Sequence, residues 1–439
     1  MRQRQTRPRL LQAMFDAFHL PDLRRRILFT FAMLVAFRFV AHVPLPGVNS
    51  AALQSLFDQN ALLGMLDMFS GGAMRNFSIA AMGVYPYITT SIIMTLMTPV
   101  IPRLQALAQE GEAGRHKINL ITHWLMVPMA GLSGYGQLVL LQRQGAVAET
   151  GALATVAMVL SLMAGTVFLV WVGELITEHG IGNGISIIIF GGIVAGYWGM
   201  IGSGVLAGQQ GQALGLVFYL LIALATVVLV VIFTEAHRRI PVQYARTSFR
   251  GNRMYKQSGA THIPLRVNTA GMIPLIFAMS MVLFPGLLAS YFAGPEGDPN
   301  FANTIVNLFS PNAAMPLGLF YWGLFFLLTV AFAFFYTMVI FQQQDLSGTL
   351  QRQGGFVPGI RPGKQTTEFF NQVVMRITWA GALFLALVAV IPFLSREITN
   401  VQVIQLSSLG LLIVVGVVLD TMKQMQAQLT MRRYEGFIK

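Results

Sequence analysis

Long stretches without a charged side chain constrain this chain more than any other feature of its sequence. A membrane-spanning helix needs about 20 apolar residues in a row. Uncharged stretches of about that length occur at residues 76–102, 118–142, 150–173, 267–295, 377–395 and 398–419. Another, residues 179–234, is long enough for two spans. Because 55% of the chain is hydrophobic and only 10% is charged, the pattern predicts an all-α polytopic membrane protein.

These stretches predict ten transmembrane helices. Two of the spans share residues 179–234, divided by the glycine- and glutamine-rich segment 199–212, and two more are expected near 27–43 and 316–341. An even number of spans places both termini on the same side of the membrane. The segments on that side hold 25 of the 29 lysine and arginine residues. The positive-inside rule therefore predicts that both termini are cytoplasmic.

The N-terminal segment, residues 1–26, is predicted to be a cytoplasmic amphipathic and basic segment. It has apolar residues on one helical face among arginines, at Leu10, Leu11, Met14, Phe15 and Phe18. Such a helix is expected to lie on an anionic membrane surface. The alternative is a disordered basic tail.

The hydrophobic pattern breaks between residues 41 and 103. The apolar stretch Ala61–Phe69 is too short to span a bilayer, and it is followed by a glycine pair, an arginine and a full-length span. A stretch of about 10 apolar residues suits a re-entrant segment, and irregular backbone at membrane depth survives only where protein or water surrounds it. The break therefore indicates a protein with an interior that something passes through.

The predicted spans offer almost no polar chemistry. The charged residues Arg38, Glu174 and Asp420 lie near span ends, and His123 near a boundary is expected to bond to a neighbouring helix. Transporters coupled to ions or protons usually keep ionisable groups inside their spans. The chain has no cysteine, so thiolate metal sites and disulfides are excluded. No motif for hydrolytic, metal or other catalysis occurs, so neither an enzyme nor a bound cofactor is expected.

Branched aliphatic residues instead recur at helical spacing beside glycine and proline. Examples are Val84 and Ile88 around Pro86, and Ile185 and Ile189 after a Gly-Asn-Gly sequence. From pattern alone these residues are expected to face lipid or pack in the core. The functional interpretation is a hydrophobic constriction that blocks ions by dewetting.

The loop at residues 235–266 combines basic and aromatic side chains. Seven lysine and arginine residues alternate there with Tyr244, Phe249 and Tyr255. Positive-inside topology explains part of this charge. The rest suits contacts with ribosomal RNA or with an acidic protein surface. Arg361 lies in the next loop, within the glycine- and proline-rich sequence GGFVPGIRPG (354–363).

Eight motifs, in the same order, resemble the SecY family of protein-translocation channel subunits across essentially the whole chain. They are LDMFSGG (66–72), YPYITTSII (85–93), EGEAGRHKI (110–118), ITEHGIGNGISIIIFGGIVAG (176–196), RRIPVQYA (238–245), THIPLRVNTAGMIPLIFA (261–278), GGFVPGIRPG (354–363) and LDTMKQMQAQLTMRRYEGF (419–437). Most are weak signals singly, but the ordered set together with the topology is specific.

The resemblance implies two inverted five-helix halves around a pore, at residues 27–200 and 201–422. Cytoplasmic loops at 235–266 and 342–376 and a tail at 423–439 complete the organisation. The implied pore ring is Val84, Ile88, Ile185, Ile189, Ile276 and Ile413. The implied plug, within about 60–75, is Leu62, Leu63, Gly64, Met65, Leu66, Asp67, Met68, Phe69, Ser70, Gly71 and Gly72. Thr95 and Asn268 match the polar positions of a lateral gate between spans 2 and 7.

This sequence departs from the family pattern at two of these places. Val84 stands where isoleucine is common, and Thr95 stands where glutamine is frequent. The approach to Ile413 also differs, since the sequence QLSSLGLLI replaces a more usual glycine-paired sequence.

The implied function is passage of unfolded polypeptides across the bacterial cytoplasmic membrane and release of transmembrane segments into lipid. The implied partners are the small subunits SecE and SecG, the motor ATPase SecA, the ribosome, signal sequences with nascent chains, and membrane lipid. The implied partner-binding residues are Arg238, Arg239, Arg246, Arg250, Arg253 and Arg361. A secondary transporter with broken helices is the main alternative, and a membrane scaffold or insertase without a pore is the second.

Overall fold

The structure of the chain is a computed structural model. It describes residues 20–49, 52–53, 56–57, 67, 70–148, 151–207, 213–250, 253–271, 273–290, 292, 300–311, 313, 317–344, 346–399 and 407–435. Within these elements, the description of side chains omits 198–207, 213–216, 219, 245–250, 253–260, 342–344, 392, 395–399, 407–409 and 430–435. The predicted N-terminal helix at residues 10–18 lies outside the described residues.

Helices make up most of the described chain. In order they are α1 (Pro21–Val40), α2 (Tyr85–Met97), α3 (Pro102–Gln109), α4 (Glu112–Arg143), α5 (Ala152–His179), α6 (Gly184–Ala207) and α7 (Ala213–Glu235), followed by α8 (Ile273–Ser290), α9 (Phe301–Leu308), α10 (Leu317–Gln344), α11 (Leu346–Arg352), α12 (Lys364–Thr399) and α13 (Ser407–Glu435). Three strands are β1 (His237–Arg250) and β2 (Arg253–Arg266), between α7 and α8, and β3 (Gly355–Phe356), between α11 and α12.

The helices confirm the prediction of a polytopic helical membrane protein. Within the described residues, six helical segments are long and apolar enough to cross a membrane, in α4, α5, α8, α10 with α11, α12 and α13. The pair α2 and α3, bent by 96°, would count as a seventh, and shorter apolar segments lie within α6 and α7. Together with α1, these helices are consistent with ten spans.

The second span differs from its prediction. The uncharged stretch 76–102 suggested one long helix, but its first part forms turns and α2 begins only at Tyr85. Phe77 lies fully buried there with a φ of 40°, an uncommon conformation for a bulky residue. The Phe77 carbonyl oxygen accepts a hydrogen bond from Leu45 N at 3.0 Å, and Ile79 N donates to the Val43 carbonyl at 3.1 Å. These contacts satisfy backbone groups that a helix would otherwise pair internally.

Both described chain ends lie at the same end of the bundle. Leu23 at the start of α1 and Leu429 near the end of α13 are buried in one small cluster. At the same end, Lys423 of α13 forms an ion pair with Glu235 at the end of α7, with Nζ 3.0 Å from Oε1. We call this end the terminal side, and the other end the opposite side.

A three-stranded sheet on the terminal side was not predicted. Strands β1 and β2 form an antiparallel hairpin in which His237 pairs with Arg266 and Arg250 with Arg253. Strand β3 adds to the other edge of β1, where Gln243 pairs with Phe356. The dipeptide Gly251–Asn252 between two strand-like runs is a hairpin signal in the sequence. The loops at 235–266 and 342–376 therefore share one sheet.

Candidate functional site

The predicted ring residues belong to one hydrophobic cluster in the interior of the bundle. Val84, Ile88, Ile189 and Ile413 are buried members of this cluster, and Ile185 and Ile276 are half-buried side chains packed against it. The six residues come from α6, α8, α13 and the start of α2. The side chains of these six branched aliphatic residues carry neither hydrogen-bonding groups nor charge.

Local backbone geometry places the ring residues. Val84 is the residue just before α2, and Ile88 N donates to its carbonyl oxygen at 3.1 Å, so the two side chains lie one turn apart. On α6, the side chain of Ile185 occupies the space beside Gly173 of α5. A methyl group added at Gly173 would lie 2.6 Å from Ile185 Cδ1. The absence of a side chain at Gly173 therefore allows α5 and α6 to pack closely around Ile185.

Only part of the predicted plug lies within the described residues. Leu62, Leu63, Gly64, Met65, Leu66, Met68 and Phe69 lie outside them, whereas Asp67, Ser70, Gly71 and Gly72 are described. Gly71 and Gly72 have φ angles of 69° and 84°, which glycine adopts readily. Glycine relieves backbone restriction, and the φ angles of these two residues use that freedom.

Asp67 and Arg75 close the turn that follows the plug. Arg75 Nε lies 3.1 Å from Asp67 Oδ2, and Arg75 N donates to Asp67 Oδ1 at 3.1 Å. Ser70 Oγ donates to the Asp67 carbonyl at 3.0 Å and accepts from Met74 N at 3.0 Å. Burial raises the pKa of the Asp67 carboxyl, and the hydrogen bonds and charge of Arg75 offset this rise only in part.

Arg38 is a functional candidate, although its position in the sequence indicates only that it lies near a span end. Its Nη1 donates to the Gly71 carbonyl at 2.6 Å, so it contacts the end of the plug. The signal for this contact was an arginine in an otherwise uncharged span, which calls for a partner. The sequence alone does not reveal which carbonyl group is that partner.

The two predicted gate residues are not joined by a hydrogen bond, although both are described. Thr95 Oγ1 donates to the Ser91 carbonyl of its own helix at 2.7 Å, and Thr95 lines a cavity of about 210 Å³ together with Arg115 of α4 and Val339 of α10. Asn268 is buried beside Gly381 of α12. The helices α2 and α8 nevertheless contact each other.

His123 lies against a neighbouring helix. Its Nε2 lies 3.0 Å from Glu174 Oε1 of α5, and Asn119 Nδ2 donates to the same oxygen at 3.3 Å. Tyr87 of α2 joins this group, because its hydroxyl donates to Asn119 Oδ1 at 3.5 Å. Polar side chains thus connect α2, α4 and α5.

The predicted partner-binding residues lie on or beside the three-stranded sheet. Arg238 and Arg239 are exposed on β1, and Arg361 is exposed in the loop after β3. Arg246, Arg250 and Arg253 lie further along the hairpin, where the backbone but not the side chains is described. A second hydrophobic cluster, including Val242, Leu350 and Phe370, holds the hairpin against the loop and α12. The sheet thus presents basic residues from both loops on one support.

The fold matches those of solved protein-conducting channels. A structure described as that of a protein conducting channel aligns with a TM-score of 0.65 at 15% identity, covering 92% of each chain. Sec61 from the canine ribosome-channel complex of the endoplasmic reticulum aligns at 0.62 and 14% identity, again over 92% of each chain. At these identities the likeness establishes the fold alone. The class is therefore a multi-pass helical membrane protein with the protein-conducting-channel fold.

Sequence relatives then give the family. The SecY family model matches residues 78–422. Proteins named protein translocase subunit SecY are 40% identical in Streptomyces scabiei, over 98% of this chain and the whole relative, and 38% identical in Thermotoga maritima, over 98% of each. The chain belongs to the SecY family.

Proposed function

We propose that this chain is a protein-conducting channel that passes unfolded secretory polypeptides and releases transmembrane segments sideways into lipid. The observation that carries the proposal is the apolar cluster holding Val84, Ile88, Ile185, Ile189, Ile276 and Ile413 from four helices, within a fold of the protein-conducting class. The relatives' name, protein translocase subunit, agrees with it. A secondary transporter needs a polar or ionisable substrate site, so that alternative is not favoured.

Such a channel must let a polypeptide of any sequence pass, and it must exclude ions when it is empty. A ring of branched aliphatic side chains suits both tasks. It makes no strong hydrogen bonds to a passing chain, so any sequence can move through it. When no chain is present, the ring excludes water and ions by dewetting. The plug, within about residues 60–75, covers the ring on the opposite side in this proposal. The ring and plug together form the seal.

Opening requires free energy from the substrate and from a partner. About ten apolar residues of a signal sequence contribute roughly 0.3–0.6 kcal/mol each, or about 3–6 kcal/mol in total. Moving a channel from 1:99 to 99:1 open takes about 5.5 kcal/mol. Because the two amounts are close, a partner on the cytoplasmic face is needed to bias the opening reliably.

The lateral gate is proposed to lie between α2 and α8, which contact each other. Thr95 lies on α2, and Asn268 lies a few residues before the start of α8. A signal sequence would separate these helices and enter lipid between them. Since Thr95 and Asn268 make no hydrogen bond to each other, closure of the gate is proposed to rest on apolar packing of the two helices.

The partners and the location are also proposals. The termini, the hairpin and the loop after β3 are assigned to the cytoplasm of a bacterial inner membrane because most of the positive charge lies in these segments. The proposed partners there are SecA and the ribosome, which would meet Arg238, Arg239, Arg246, Arg250, Arg253 and Arg361. SecE and SecG are proposed to associate with the helices. A solved relative comes from a ribosome-channel complex, which supports the ribosome as a partner.

Crosslinking to a trapped substrate tests the proposed function. A photoreactive amino acid is placed at Ile88, at Ile276 or, as the matched control, at Ile93 of α2, which is 37% exposed. A secretory nascent chain is then stalled inside the channel. Adducts are expected from positions 88 and 276 and not from position 93. A stalled chain that gives no adduct at position 88 or at position 276 would contradict the proposal.

A further inference from the structure

Arg38 is a charged residue in a span and its side chain is directed at one backbone group. Nη1 donates to the Gly71 carbonyl at 2.6 Å. Charge-assisted hydrogen bonds are roughly twice as strong as neutral ones. An arginine at membrane depth is costly unless it has such a partner. The contact therefore stabilises both the arginine and the position of Gly71.

Gly71 is held from two further directions. Its backbone packs against Gly192 of α6, since a methyl group added at Gly192 would lie 2.5 Å from Gly71 Cα. It also packs against the buried ring of Phe37, whose Cζ would lie 2.8 Å from a methyl group at Gly71. Phe37 and Arg38 are neighbours on α1. All three contacts thus come from α1 and α6, two helices of the predicted N-terminal half.

The residues after Gly71 are joined to it by contacts within one turn. We call Asp67 together with residues 70–75 the plug-base turn. The ion pair between Asp67 and Arg75 and the hydrogen bonds of Ser70 Oγ close this turn on itself. Ala73 in its middle is completely buried. A contact that holds Gly71 therefore holds the whole turn.

We propose that Arg38 is the positioning residue that anchors the plug-base turn to α1 and so keeps the base of the plug in place when the two halves separate. This inference rests on the proposed channel function. Because α1 and α6 belong to the same half, the anchor does not have to break when the gate opens.

The chain has no cysteine, which allows a direct measurement of the anchor. Ala73→Cys introduces a single thiol into the buried turn, and a membrane-impermeant maleimide reports its accessibility from the opposite side. In the otherwise unchanged full-length chain, reconstituted in lipid vesicles, labelling is expected to be slow. Adding Arg38→Met should raise the labelling rate about tenfold, because a hydrogen bond to a charged group is lost.

Two further variants test whether the rise in labelling rate comes from loss of the Arg38 contact or from loss of a positive charge in general. Arg38→Lys keeps a cationic donor and should raise the rate less than Arg38→Met does. Arg143→Met removes the same charge from the end of α4, outside the plug-base turn, and should leave the rate unchanged. Equal rates in Arg38→Met and Arg143→Met would overturn the proposal, and so would a lysine variant as fast as the methionine variant.

Folding is checked in detergent before reconstitution, and function is checked in the same vesicles. If Arg38→Met yields no folded protein by gel filtration, Arg38→Gln takes its place, with the same expected rise and the same overturning result. Translocation of a secretory precursor by the unchanged chain, with the proposed partners SecE, SecG and SecA supplied, tests the proposed function separately. Failure of that translocation would contradict the channel function, while the labelling rates would still decide whether Arg38 holds the turn.

Discussion

Ile88 and Ile93 lie on the same helix, and the hydropathy pattern of the sequence does not tell which of the two is buried. Ile88 is 6% exposed inside the central cluster, whereas Ile93 is 37% exposed at the surface. Hydropathy treats the two alike, because both are apolar residues in an uncharged span. Their difference arises from the direction each side chain takes from α2, which depends on where the neighbouring helices lie.

Shortening Ile88 should make the resting channel leaky. Ile88→Ala removes methyl groups from the apolar cluster, so the constriction becomes wider and easier to wet. We expect a severalfold higher ion conductance in planar bilayers without substrate. Ile93→Ala on the same helix is the matched control and should conduct like the unchanged chain. Equal conductance in both variants would remove Ile88 from the proposed seal.

At the scale of elements, glycines set the distances between helices. Gly165 of α5 lies directly against the Ile79 carbonyl group, and a methyl group added there would be 2.7 Å from the carbonyl carbon. Gly165 is buried, so this contact lies inside the bundle. The turn at residues 78–84 thus lies against α5 at a position where no side chain fits. Sequence shows the glycine but not the carbonyl group it faces.

Gly165→Ala should therefore destabilise the bundle. Forcing a methyl group into this contact moves backbone, and overpacking of this kind costs about 1–3 kcal/mol. Gly196→Ala is the control, because its added methyl group meets open space on α6, and replacing a helical glycine there should stabilise by about 0.5–1 kcal/mol. Unfolding of both variants is followed in detergent. A Gly165→Ala protein as stable as Gly196→Ala would contradict the packing described.

At the scale of the whole molecule, charge and hydropathy predicted the membrane fold, whereas they did not predict the contacts of single residues and elements. The spans and the family were predictable because burial in lipid acts on long uncharged runs and because the motifs are ordered along the chain. The turns before α2 were not, since tertiary pairing of Phe77 with Leu45 overrides local helix preference. The sheet was not predicted either, although Gly251–Asn252 is a hairpin signal for β1 and β2. Its third strand, β3, is only two residues long and pairs with a strand far away in sequence.

The predicted orientation of the whole molecule can be tested with the same cysteine-free chain. His262→Cys on β2 and Gln144→Cys after α4 place single thiols at exposed positions on the predicted inner and outer sides. In intact cells, the impermeant maleimide should label the thiol at 144 and reach the thiol at 262 only after permeabilisation. The reverse pattern would invert the topology, because the positive-inside rule would then have failed here.

The pairing of β1 with β3 has a consequence for the timing of synthesis. Phe356 follows its partner Gln243 by roughly 110 residues, so at about 5–20 residues per second the ribosome needs roughly 6–22 seconds to produce the second half of this contact. During that interval α8 and α10 are made, and the hairpin waits with one edge of β1 unpaired. The basic surface is therefore completed late, so the newborn chain gains its proposed docking platform only after most of its spans exist.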